Sequence, residues 1–389
     1  MSNPREYESN RDDGRYITTM GFVHELMKTG KANLAFDPNM PTERFAEWQE
    51  RVRSKLGELL CLPEDVPEQP EPVRLWEEDR KGYRIEKWEA YPEPGSVVPF
   101  LVLIPEGADE SNPTRTVMCI PGSASSKELL AREPELRPEQ SPNRHPIANQ
   151  MALQYVKAGF AAVVAENPGT AELDEMPING GNPNTGRDKL CGELLMLGRN
   201  YVGLSVFQKL HVLEWMKAQA WVDENRIALS GHSLGTEPAM CMALLDTDIG
   251  ALVFNDFLSH NRLRYTVMTK PEETWRHNNP LWHVIPGLVA WFEFSDLLGS
   301  LAPRPLIICE GGAIEHLEAV TRAYEIAGAR ENYTYHFYSK YRESADRKHD
   351  DGVIPEGLTR DEWFEHVNVD AVNHNFKGDV AIPWLSKVL

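Results

Sequence analysis

The run Arg226-Ile227-Ala228-Leu229-Ser230-Gly231-His232-Ser233-Leu234-Gly235-Thr236 constrains this chain more than any other stretch. Its first five residues read as an apolar strand, and residues 234–245 read as a helix that follows at once. A strand that reverses into a helix within so few residues needs a sharp turn with a strained residue at its apex. Bulky side chains two positions either side of that apex would collide with the turn. Gly231 and Gly235 flank Ser233 at those two positions, a symmetry that an ordinary glycine-rich turn does not require. The apex also sets the Ser233 hydroxyl at a helix N-terminus, where partial positive charge favours a developing anion. Ser233 therefore reads as a nucleophile.

The remainder of the chain alternates strands with helices. Strands are expected over 83–90, 97–104, 116–120, 160–165, 226–230, 251–254, 306–309 and 334–338, and helices over 147–157, 201–217, 234–245, 316–326 and 382–388. Such alternation implies an α/β architecture, a mostly parallel doubly wound sheet covered on both faces. Ahead of it, residues 19–62 read as helical. Thr42 is the expected cap of a helix whose apolar positions are Phe45, Trp48, Val52, Leu56 and Leu59 or Leu60. The acidic, proline-rich stretch 63–73 reads as a linker. The expected division is a helical extension with linker over 1–75 and a catalytic domain over 76–389. An aromatic insertion near 258–297 and a charged one over 339–370 interrupt the pattern. Segments after strand C-termini are where such sheets build ligand sites.

Composition narrows the partners. The net charge of −19 repels phosphate backbones and anionic lipid, so nucleic acid and acidic membranes are poor candidates. The five cysteines are far apart and fit no metal spacing, and Cys119 and Cys309 sit in apolar strands as buried thiols. The polar stretch 1–15 lacks the pattern of an export signal, and no run of about 18 apolar residues suggests a membrane span. A cytoplasmic protein is the simplest expectation, and its oligomeric state stays open, a homo-oligomer included.

A serine nucleophile needs partners. One oxyanion donor is the backbone N–H of Leu234, and the second is expected from the loop Pro121-Gly122-Ser123, whose bend turns the Ser123 N–H toward the site. A general base must take the hydroxyl proton. His374 stands in Val372-Asn373-His374-Asn375-Phe376, between the last strand and the last helix. His366 is its nearest rival, and His232 reads as a residue that shapes the elbow. Three carboxylates compete for the role of acid: Glu315, Glu310 at a strand tip, and Asp256 after the preceding strand.

At these residues the chain resembles the large dienelactone-hydrolase-like esterases, often labelled acetyl xylan esterase-like. The likeness runs through Ile120-Pro121-Gly122-Ser123, Leu229 to Pro238, Phe254-Asn255-Asp256-Phe257-Leu258, Ala302-Pro303-Arg304-Pro305, Glu310-Gly311-Gly312 and Asn373-His374-Asn375-Phe376. The resemblance implies an α/β-hydrolase fold and a serine-dependent carboxylic ester hydrolase acting on small esters, often acetyl or methyl esters of plant polysaccharides. It carries over Ser233, His374, Ser123 and Leu234, and it implies no metal and no organic cofactor. Relatives often hold an aspartate where Ile314 stands, so the acid remains open among Glu315, Glu310 and Asp256. Such esterases are usually exported, and a chain without a leader points instead to smaller imported esters.

The partner expected is thus a small-molecule or oligosaccharide ester. Trp275, Trp282, Trp291, Phe292 and Phe294 of the first insertion are expected in a lid, stacking on sugar or aryl groups or filling the lid's own core. Arg264 or Arg262 is the candidate for binding a uronate carboxylate, with Trp282 as the aromatic contact. A serine peptidase or acyltransferase on the same scaffold, or an inactive hydrolase-like binding protein, are the competing readings.

Overall fold

The computed structural model describes residues 9, 11–123, 125–133, 149–174, 183–255, 261–266, 280–337, 364–370 and 373–389. Nine strands form one sheet: β1 (Val73–Arg80), β2 (Tyr83–Ala90), β3 (Val98–Pro105), β4 (Thr114–Ile120), β5 (Ala161–Ala165), β6 (Val222–His232), β7 (Ala251–Asn255), β8 (Leu306–Glu310) and β9 (Tyr333–Tyr335). Their spatial order is β1-β2-β3-β5-β4-β6-β7-β8-β9. The first three strands and the β3–β5 pair run antiparallel, and every pairing from β5 to β9 is parallel. This is the mostly parallel α/β arrangement that the alternating sequence implied, and it agrees with the α/β-hydrolase fold that the resemblance implied.

The parallel strands read as continuous apolar runs because both of their faces are covered. Successive side chains point to opposite faces. Met118 and Ile120 of β4, Ile227 and Leu229 of β6, Leu252 and Phe254 of β7, and Leu306 and Ile308 of β8 therefore enter one core cluster. Val117, Cys119, Ala228, Val253, Ile307 and Cys309 enter the other. The helices divide in the same way. α2 (Phe45–Leu60), α6 (Tyr201–Lys217), α7 (Thr236–Leu245), α9 (Phe294–Gly299) and α10 (Ile314–Ile326) cover the first face. α3 (Lys127–Ala131), α4 (Met151–Lys157) and the final helix α11 (Gly378–Val388) cover the second. Also present are α1 (Thr19–Thr29), α5 (Pro183–Met196) and α8 (Asn261–Thr266).

The apolar stripe read from the sequence is the buried face of α2: Phe45, Trp48, Val52, Leu56 and Leu60. These residues enter the same core cluster as the sheet. Hydrogen bonds reinforce the docking. Gln49 Nε2 donates to the carbonyls of Ser300 and Ala302, and Arg53 Nε donates to Leu244 O at 3.0 Å. Asn200 joins two helices, because its Nδ2 donates to the Leu59 and Leu60 carbonyls at the end of α2 while its Oδ1 accepts from Gly203 N and caps α6. Thr42 does not cap α2 as the sequence suggested. It opens a 3-10 turn, Thr42–Arg44, and the helix starts at Phe45 behind Arg44, which gives no side-chain cap.

Part of the expected lid belongs to the main core. Ile285, Leu288, Phe292, Phe294 and Leu297 lie in the cluster that also holds α2, so Phe292 and Phe294 do not face a ligand. Residues 256–260, 267–279 and 338–363, with Asp256, Trp275 and most of the charged insertion, fall outside the described residues.

Because α2 shares the sheet's core, Leu56→Ala, at a fully buried position, is expected to weaken the whole fold by about 2–5 kcal/mol. Urea unfolding followed by circular dichroism checks this: one transition shifted to lower denaturant is expected, and an early separate transition would contradict the shared core.

Candidate active site

Ser233 adopts φ 52°, a left-handed conformation that a residue with a side chain pays about 1–3 kcal/mol to hold. The surroundings over-determine it. β6 ends at His232, a single 3-10 turn covers Ser233–Gly235, and α7 starts at Thr236. A Cβ placed on Gly231 would lie 2.5 Å from Thr236 Cα, and one on Gly235 would lie 2.2 Å from Ile120 O. Both glycines are therefore required by backbone contact, the second because the elbow presses against the tip of β4. The loop that leaves β4 closes over the same point. A Cβ on Gly122 would sit 3.1 Å from both Ser233 Cβ and His232 Nδ1. The Pro121–Ser123 segment thus lies directly against Ser233, which remains half-buried, while Leu234 is buried.

Strand register brings the next groups together. His232 pairs with Asn255, and Asn255 pairs with Glu310, so the tips of β6, β7 and β8 lie side by side. Glu310 is wholly buried. A buried carboxylate is costly unless hydrogen bonds satisfy it. Its Oε2 accepts from Asn255 Nδ2 at 2.9 Å and lies 3.2 Å from His374 Nδ1, and its Oε1 accepts from Asp370 N at 2.8 Å. Lys377 Nζ stands 3.9 Å from Oε2. The segment carrying His374 is stapled to the same edge. Lys377 N donates to Asn255 Oδ1, Phe376 N to Asn149 Oδ1, and Gly311 N to Asn368 O. The His374 ring packs on the His232 ring, with centroids 4.8 Å apart, one residue before Ser233.

The other sequence candidates occupy different places. Glu315 lies in the first turn of α10, with its Oε1 3.8 Å from both His316 Nε2 and His366 Nε2. Arg264 is buried, and its Nη1 is 3.8 Å from Glu237 Oε1 in the first turn of α7. His283 Nδ1 is 2.8 Å from that same oxygen. Arg264 therefore directs its charge at the helix behind Ser233. Arg262 donates through Nη2 to Val289 O. Trp282 is buried in a cluster with Leu234, Tyr201, Cys191 and Leu194, beneath the Arg187 guanidinium at 4.4 Å. It thus belongs to the packing around Leu234. The sequence reading passed over Asn255 and Asp370 as site residues, although Asn255 ends a strand beside the elbow strand.

Glu293 anchors α8 by accepting from Asn261 N and Arg262 N, and burial pushes its carboxyl up to about 7. A raised acid binds its proton more tightly folded than unfolded, so stability falls as pH rises from about 4.5 to 7. Glu293→Gln removes this contribution. The stability difference between the two proteins should change by up to about 3 kcal/mol across that window. Urea midpoints at pH 5 and pH 7.5 check it, and a pH-independent difference would contradict it.

Comparison with known proteins agrees with the architecture. The Abhydrolase family model matches residues 3–387. A crystal structure of a Bacteroides fragilis protein provisionally named an acetyl xylan esterase superposes with a TM-score of 0.90 at 38% identity, covering 98% of each chain. A glucuronoyl esterase from Solibacter usitatus shares the fold, with a TM-score of 0.52 at 13% identity over 77% of this chain and 86% of its own. A Bacillus subtilis protein provisionally named hydrolase YtaP is 29% identical over 113 residues, which is 29% of this chain and only about a third (36%) of that protein's length. Among the described residues, no helix is long and apolar enough to cross a membrane.

Proposed function

The chain belongs to the Abhydrolase family, and on that footing we propose that it is a serine-dependent carboxylic ester hydrolase working through an acyl-enzyme. The observation that carries the reading is the contact between buried Glu310 and His374 Nδ1, at the row of strand tips where β6, two strands from β8, presents Ser233 at positive φ. In this reading Glu310, and not Glu315, is the acid. It accepts the Nδ1 proton of His374 and so fixes the tautomer in which Nε2 is the acceptor.

His374 then takes the proton of Ser233 as its oxygen attacks the ester carbonyl. The backbone N–H groups of Leu234 and Ser123 stabilise the oxyanion. The protonated imidazole returns its proton to the leaving alkoxide, which departs as the alcohol. Water, deprotonated by His374, attacks the acyl-enzyme, and collapse of the second tetrahedral intermediate releases the acid and restores Ser233. Every proton in this cycle moves through His374.

The substrate proposed is an acetyl or other small ester of a carbohydrate or related small molecule. Likeness over nearly the whole chain to the Bacteroides fragilis protein supports it. Arg264, turned toward Glu237, acts here on the position of α8. Trp282, in the same buried cluster as Leu234, acts on the elbow's surroundings.

Steady-state hydrolysis of p-nitrophenyl acetate tests the assignment. Ser233→Ala and Glu310→Gln should each lower kcat by about 10³- to 10⁴-fold or more. Glu315→Gln should remain within a few-fold of wild type. A larger loss from Glu315→Gln than from Glu310→Gln would reverse the choice of acid.

A further inference from the structure

The loop from Pro121 to Lys127 carries the second donor of the proposed oxyanion site. It leaves β4 at Ile120 and ends where α3 begins at Lys127. Its inner residue Gly122 has no slack against Ser233. Something must fix both ends of such a loop if its amide is to stand at a defined distance from a reacting carbonyl. The candidates lie on the adjacent strand. β5 pairs in parallel with β4, with Cys119 opposite Val164, so the residues just past the tip of β5 reach the start of the loop.

Two consecutive residues there hold the two ends. Asn167 Nδ2 donates to Pro121 O at 2.8 Å. Glu166 Oε2 accepts from Lys127 N at 3.4 Å and from Lys127 Nζ at 3.2 Å. Glu166, Asn167 and Lys127 are all wholly buried. The pair is itself fixed. Glu166 Oε1 accepts from Asn167 N at 3.2 Å, and Thr170 Oγ1 stands 2.7 Å from Asn167 O. Lys209 Nζ, also buried, donates to Glu166 O at 3.3 Å and to Ser205 Oγ at 2.8 Å. Lys127 Nζ sits among three carboxylates, with Glu128 at 2.7 Å, Glu166 at 3.2 Å and Glu172 at 3.4 Å.

Burying this many charges costs several kcal/mol per ion before their attraction offsets it, and apolar side chains of like volume fill such a space without that cost. What the ions provide that an apolar cluster does not is direction: each bond fixes a particular atom of the loop. We propose that Glu166 and Asn167 are positioning residues that clamp both ends of the Pro121–Lys127 loop and thereby set the Ser123 amide for oxyanion binding. This rests on the ester-hydrolase reading above. It assigns a role to residues that touch neither Ser233 nor His374, acting through the loop alone.

The test compares wild type, Ser233→Ala, Asn167→Asp and Asn167→Ala on two readouts. One is kcat and KM for p-nitrophenyl acetate. The other is inhibition by 2,2,2-trifluoroacetophenone, whose serine adduct carries an oxyanion. Asn167→Asp keeps the shape of the side chain but turns an acceptor toward Pro121 O. Both Asn167 variants should lower kcat about 10- to 100-fold and weaken the ketone by a similar factor, with KM within a few-fold of wild type. A role confined to folding would lower the melting temperature and raise KM without a matching loss of ketone affinity, and that result overturns the clamp. So does unchanged kcat and inhibition in folded variants. If Asn167→Asp does not fold, Asn167→Ser is read in the same way. If wild type and Ser233→Ala hydrolyse the ester equally, the ester-hydrolase reading has failed. If Ser233→Ala is inactive while the Asn167 variants match wild type, the clamp alone has failed.

Discussion

A single buried carboxylate ties the site together. Glu310 ends β8 with no exposure to water, so its charge has to be met by donors placed around it. Those donors come from three separate parts of the chain: Asn255 from β7, the Asp370 backbone from the end of the charged insertion, and His374 from the loop before the last helix. Meeting that one charge fixes where each of them stands. Lys377 N then donates to the other end of the Asn255 amide, which closes the loop onto the sheet. Glu310 is the one side chain that bonds the Asp370 backbone, His374 and Asn255 together.

The elbow has a complementary logic, steric instead of electrostatic. Gly235 meets Ile120 O and Gly122 meets Ser233, so β4, its loop and β6 are locked by backbone contact where no side chain fits. Hydrogen-bonded charge positions the histidine side of Ser233, and close packing positions the oxyanion side. The buried cluster about Lys127 and Glu166 carries that second constraint outward to β5 and α6.

Much of this was legible in the sequence, for identifiable reasons. The strand–turn–helix around Ser233 is local, and its two glycines, Gly231 and Gly235, lie two positions either side of the serine. The stripe on α2 has helical spacing and could be read residue by residue, as Phe45, Trp48, Val52, Leu56 and Leu60. β1 could not be read in this way. It is an edge strand whose residues, Val73 to Arg80, are mostly exposed and five of the eight charged, so it has no apolar alternation. α5, Pro183–Met196, starts on a proline, contains two glycines and shows no apolar stripe. The cap at Thr42 failed because a 3-10 turn took up the residues before Phe45. The choice between Glu310 and Glu315 was not legible because it depends on register. Position along the chain says nothing about which strand tip lies beside Asn255. The pairing of Asn255 with Glu310 does, and Glu315, a few residues later, has already turned into α10 beside His316.

The central claim is that Ser233 is activated by this frame, and covalent labelling tests it most directly. Intact protein treated with a fluorophosphonate and then digested for mass spectrometry should carry one adduct, on the peptide containing Ser233, and heat-unfolded protein should carry none. No adduct on the folded protein, or an adduct on a different residue, would contradict the account.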